Sequence, residues 1–316
     1  MSFPTPRLDR QLIVRGLGTL ASLALLVYLL SRQGWSEILS AFQRIPPSSL
    51  VAVVALLVIS RVAITARWFS LLRTADKSIP FLESLRLTLA GLFAANFLPT
   101  TVGGDVVRLA GILKLSSNRV GSAASIVADR LIGLLGMAMA LPFGLRDLVL
   151  WLQKSSLVAA PLALGVAAGE APPAMRSWLE RARRAVTRIA GELRMWIHHP
   201  RALLQALSFT WVHMLCLFAE IWLLLRGMGS TPSAVTIAGL WSLSYFITLV
   251  PFSINGLGLR EVSVTYIFSE LGSVPIENAL TLALILRTMD MLISLPGAAF
   301  VSSIVADWSA DRRREA

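Results

Sequence analysis

The chain has 316 residues, of which 55% are hydrophobic and 15% charged, with a net charge of +11 and a mean hydropathy of +0.70. Soluble globular domains carry about a quarter of their residues as charges, so this composition excludes that class and indicates a polytopic membrane protein. One cysteine, Cys216, excludes an internal disulfide, and three histidines beside it give no metal-ligand spacing. Neither a nucleotide-binding glycine loop nor a Gly-x-Ser-x-Gly elbow is present. The expectations are therefore no enzyme activity, no cofactor, no metal and no nucleic-acid partner.

In chain order, Arg7, Arg10 and Arg15 precede an apolar run from Leu17 to Leu30. No small-x-small cleavage site follows in Ser31-Arg32-Gln33, so the run is expected to stay as the first span. Further runs near the roughly 20 residues that cross a hydrocarbon core lie at 48–66, 120–144, 147–168, 203–225 and 276–304. With 12–30 they make six full spans.

Segments 84–116 and 235–271 differ from these. Each is an apolar stretch, a proline-containing turn with glycines, and a second stretch interrupted by charge: Pro99-Thr100-Thr101-Val102-Gly103-Gly104-Asp105-Val106-Val107-Arg108, and Pro251-Phe252-Ser253-Ile254-Asn255-Gly256-Leu257-Gly258-Leu259-Arg260-Glu261. Unwound backbone is tolerated inside a bilayer only where protein or a water-filled cavity satisfies it, so a matched pair marks a binding site. Residues 106–115 make about 15 Å of helix, too little to span.

The loop from Glu170 to Arg201 carries seven arginines against three acids, a local charge of +4, and belongs on the cytoplasmic side. A complete crossing at 84–116 would place it outside. A re-entrant hairpin there, and a second hairpin at 235–271 entering from the opposite face, keep every basic loop and both termini inside. The predicted fold is an all-α polytopic membrane bundle of six spans and two broken hairpins. It forms one integral domain, an inverted repeat with halves at about 1–145 and 146–316. A basic amphipathic insertion at about 170–201, with Trp178 and Trp196 on its apolar face, is read equally as a membrane-surface helix or as a connector packed on the spans.

The candidate site follows from the broken motifs. Gly103, Gly104, Gly256 and Gly258 permit sharp turns and close approach, and helices starting just after them would offer free N–H groups to an anion. Asn255 belongs to the second turn. Arg108 and Arg260 are the residues expected to hold a phosphate, with Asp105 and Glu261 balancing them when no ligand is bound. A purely structural ion pair, a helix cap at Asp105 and simple helix packing at the glycines are the alternatives. Arg287 and Asp290, one turn apart, form either an internal ion pair or a cavity-facing arginine with its counter-ion. His213 and Glu220 share a helix face and offer a proton relay. Arg61, Asp129 and Arg130 are placed near helix ends, where long side chains snorkel to water.

Taken together, Pro99 to Arg108 and Asn255 to Glu261, in this order and spacing, resemble the lysylphosphatidylglycerol synthase transmembrane-region family of flippase-like integral membrane proteins. The likeness covers about residues 10–305, with Thr100-Thr101 standing where the family commonly has glycine. In two-part members the membrane region moves an aminoacylated phospholipid between leaflets and a separate soluble domain makes it. The residues here include no segment suited to that domain, so aminoacyl transfer is not expected. The resemblance implies a bacterial inner-membrane lipid translocase for an anionic phospholipid or a polyprenyl- or hopanoid-type lipid. An accessory subunit presenting lipid to a glycosyl- or lipid-modifying enzyme partner, and a small-anion transporter, are the other readings.

Overall fold

In a computed structural model of the chain, residues 27–28, 35–97, 103–154, 196, 199–249 and 258–301 are described. The expected first span, the span at 147–168 beyond residue 154, most of the basic insertion and the arginine tail lie outside them. So do the tips of both broken motifs, including Asn255 and Gly256. Among the described residues every regular element is an α-helix and there is no strand. The helices are α1 (Trp35–Gln43), α2 (Pro47–Ala75), α3 (Phe81–Phe97), α4 (Gly103–Leu115), α5 (Arg119–Lys154), α6 (Pro200–Gly227), α7 (Ala234–Thr248), α8 (Leu259–Glu270) and α9 (Ile276–Ser294).

Helices α2, α5 and α6 are long and apolar enough to cross a membrane. Their ends carry ordinary punctuation. Proline opens both α2 and α6, where its missing N–H costs nothing. Helix α6 stops at Gly229, whose φ of 85° is left-handed, while Ser230 N–H reaches back to the Leu225 carbonyl at 2.8 Å. The Ser233 hydroxyl caps α7 by accepting from Thr236 N–H at 3.1 Å.

The long helices define two ends of the bundle. At one, a Cβ on Gly227 would lie 3.1 Å from Ile45, and Asn278 Nδ2 donates to the Met228 carbonyl and to Ser230 Oγ at 3.1 and 2.9 Å. At the other, the Asp76 carboxylate ties the loop after α2 to the loop after α4. It accepts from the N–H and hydroxyl of Ser78 (2.9 and 2.6 Å), from Ser116 Oγ (2.8 Å) and from the N–H and hydroxyl of Ser117 (2.9 and 3.0 Å). These hydrogen bonds, those of Ser78 first, hold the Asp76 carboxyl well below the usual carboxylate range. This second end is the basic one, with Arg73, Lys77, Arg86, Lys114, Arg119 and Arg201 near it.

Helices α3 and α4 start and finish at the basic end, where Leu87 of α3 and Ile112 of α4 share a buried cluster with Trp68. Helices α7 and α8 start and finish at the opposite end, with Leu240 and Phe268 in the main core. At 17, 13, 15 and 12 residues, these four helices are about 25, 20, 22 and 18 Å long, each short of the roughly 30 Å hydrocarbon core. The outer ends of the two pairs thus lie at opposite ends of the bundle, and their inner ends lie near its middle. Small residues let them in: a Cβ on Gly104 would lie 2.5 Å from the Gly91 carbonyl oxygen, so α3 and α4 touch backbone to backbone. Gly144 of α5 and Gly239 of α7 make a second such contact.

Candidate functional site

The inner ends of the two helix pairs meet beside the midpoints of α2 and α6. Asn96, at the end of α3, donates to the Asp290 carbonyl and to Ser294 Oγ of α9, both at 3.2 Å. Two adjoining cavities, of about 350 and 470 Å³, open there and share Arg61, Asn96, Arg130, His213, Tyr245, Arg260 and Asp290 in their walls. Six arginines (61, 67, 108, 130, 260, 287) and four carboxylates (Asp105, Asp129, Glu220, Asp290) line them. Helices α4 and α8 both present their N-termini toward this region. Their positive dipole ends add to the cationic field.

On the α4 side the ion pairs are nearly saturated. Asp129, 1% exposed, accepts from Arg67 Nε at 2.7 Å and from both terminal nitrogens of Arg108 at 3.1 Å. Arg108 also lies 4.1 Å over the Trp68 ring and 3.6 Å from Asp105. Its stem needs Gly91, where a Cβ would fall 2.8 Å from Arg108 Cγ. Asp105 forms a two-pronged pair with Arg130, Nε–Oδ2 2.7 Å and Nη2–Oδ1 2.9 Å.

On the α8 side the pairing is looser. Gly258, with φ 75°, caps α8 and lets Arg260 follow at once. Asp290 takes Arg61 on one oxygen and Arg260 Nη2 on the other, at 3.0 Å, and Arg260 stands 5.4 Å over Trp241. Arg287 faces Glu261 at 3.7 Å, beyond hydrogen-bond reach. Arg61 Nε, Arg287 Nε and Nη2, Glu261 Oε2 and Glu220 Oε1 are buried with no hydrogen-bond partner. Groups of both signs therefore remain to be satisfied on this side, by water or by a ligand.

The structure brings Asp105, Arg108, Gly104, Arg260, Arg287, Asp290, His213 and Glu220 to or beside the two cavities, with Gly103 at the start of α4 and Glu261 behind Arg287. It changes their pairing. Arg287 and Asp290 do not pair with each other: Arg287 faces Glu261 of α8, while Asp290 takes Arg260 of α8 and Arg61 of α2. Asp105 and Glu261 bind chiefly Arg130 and Arg287, while Arg108 and Arg260 find Asp129 and Asp290. The snorkelling expected of Arg61, Asp129 and Arg130 is overturned: all three point into the cavity walls. His213 Nδ1 pairs with Ser60 Oγ at 2.7 Å rather than with Glu220. Gly104 serves close packing, whereas Gly258 supplies a turn.

Arg61 and Arg67, within one apolar run, and the adjacent Asp129-Arg130 within another were the available signals for the partners that spacing did not reveal. Trp241 and Tyr245 gave none beyond aromaticity.

The sequence profile described as the lysylphosphatidylglycerol synthase TM region matches residues 15–297. Comparison with curated proteins found no match. With nearly the whole chain covered, the chain belongs to the lysylphosphatidylglycerol synthase transmembrane-region family, an integral membrane protein family tied to lipid handling.

Proposed function

We propose that the chain is a lipid translocase of the bacterial inner membrane, with no catalytic step of its own. The six spans and two hairpins form one domain, an inverted repeat with both termini and the basic end in the cytoplasm. An anionic lipid headgroup, from a phospholipid or a polyprenyl- or hopanoid-type lipid, enters the central cavities and its chains stay in the bilayer. Arg260, Arg287 and Arg61 receive the phosphate, and Asp290 and Glu261 hold those arginines when the site is empty.

One observation supports this reading: two helix pairs from opposite ends of the bundle bring Arg108 and Arg260 to adjoining cavities near its middle. A charge at that depth costs about 2.5 to 3.5 kcal/mol on insertion scales, so six arginines there require compensation or use. The test is mass spectrometry of lipids that copurify with wild type and with Arg260→Ala, whose 27% side-chain exposure makes it the arginine least needed for folding among the paired ones on this side. Enrichment of one anionic lipid in wild type, reduced at least roughly tenfold in the variant, is expected. A profile equal to the bulk membrane in both would contradict the reading.

A further inference from the structure

A third cavity, of about 1020 Å³, lies at the basic end between the last turns of α2, the start of α3 and the start of α6, and shares no lining residue with the two central cavities. Its cationic rim is Arg73, Lys77 and Arg201, all exposed. None of its lining residues is acidic, and none of the three cations has a carboxylate partner among the described residues. In the central cavities, by contrast, every lining arginine faces a carboxylate.

Below the rim the wall is aromatic. Phe69 and Phe81 meet edge to face at 5.4 Å between centroids, and Phe209 completes the surface. The Arg73 guanidinium stands 5.6 Å from the Phe69 centroid, which orients its charge along the groove. Because α2 and α6 are both long and apolar enough to cross a membrane, cations at their ends would lie at headgroup level, with Phe69 and Phe209 one to two turns deeper. Charge above and an apolar wall beneath match the phosphate and glycerol–acyl junction of a lipid. A free phosphate would leave the aromatic wall in water.

We propose that this groove is a docking site for the phosphate of an anionic phospholipid from the leaflet at the basic end. It is separate from the central cavities and does not depend on the translocase reading. An occupant would rest against Phe81, at the foot of the α3–α4 hairpin, and brace it.

The full chain in detergent micelles, given phosphatidylglycerol with a photoreactive group near its headgroup, tests this by peptide mapping of the cross-links. Cross-links within Ala66–Phe81 and Pro200–Phe209 are expected, displaced by unlabelled phosphatidylglycerol but not by phosphatidylcholine or inorganic phosphate. The triple variant Arg73→Gln/Lys77→Gln/Arg201→Gln should lower their yield by roughly tenfold or more, Arg73→Lys/Arg201→Lys should keep it, and Arg260→Ala should not change it. Equal yield in the triple variant, equal displacement by phosphatidylcholine, or displacement by inorganic phosphate alone would overturn the proposal. So would failure of Arg73→Lys/Arg201→Lys to bind. Loss of the groove cross-links with central lipid binding intact, or the reverse, separates this site from the translocase.

Discussion

At the scale of single residues, the cavities are held by arginines whose carboxylates come from other helices. Asp129 is the strictest case, since it accepts hydrogen bonds from both Arg67 and Arg108 in a place with almost no solvent. Removing one member of a buried ion pair leaves its partners uncompensated and costs about 3 to 5 kcal/mol, more than the intact pair contributes over an apolar replacement. Asp129→Asn should therefore lower the Tm of the purified protein strongly, and adding Arg67→Met should recover part of the loss. A thermal scan in detergent checks both. The pairing was hidden in the sequence for a physical reason. Arg108 lies 21 residues from Asp129, Arg260 lies 30 from Asp290, and Arg61 lies 229 from Asp290. Distance along a helix to its end, the ground for expecting Arg61 and Asp129 to snorkel, says nothing of which face meets a neighbour.

At the scale of elements, the hairpins were the most legible feature, because proline and clustered glycine interrupt runs that would otherwise span. Their packing was legible only in kind. Gly104 allows α3 and α4 to touch, and its substitution puts a methyl 2.5 Å from the Gly91 carbonyl oxygen and 3.1 Å from Ala95 Cβ. Backbone cannot yield as a side chain can, so the helices must separate. Gly104→Ala should cost about 1 to 3 kcal/mol and move Arg108, whose stem occupies the space beside Gly91. A lowered Tm with accelerated proteolysis in the loop after α3 is the expected readout. The foot of the same hairpin is tied by Asp76. Since its folded-state pKa is depressed, its contribution to stability is complete above the ordinary carboxylate value of 3.8 and is lost progressively as pH falls below it. The Tm advantage of wild type over Asp76→Asn should be full near pH 7 and shrink below about pH 4. A constant difference across that range would show that Asp76 acts by shape rather than charge.

At the scale of the molecule, loop charge and run length led to two hairpins entering from opposite faces; among the described helices, the outer ends of α3–α4 lie at the basic end of the bundle and those of α7–α8 at the other. The same pattern let the central arginines of both motifs be named in advance. What charge and run length could not supply were the aromatic and carboxylate walls that fix those arginines. The groove at the basic end was not legible, because its residues come from the ends of helices distant in sequence and read as the ordinary excess of basic residues in loops between spans. The translocase proposed above would use the central arginine cavities to carry a charged headgroup through apolar surroundings. Reconstitution into vesicles with fluorescent phosphatidylglycerol, read by quenching of the outer leaflet, tests that directly. The account predicts protein-dependent exchange between leaflets that falls by roughly tenfold or more in Arg260→Ala at equal protein incorporation. Wild-type vesicles no faster than protein-free ones, or a variant as fast as wild type, would contradict it.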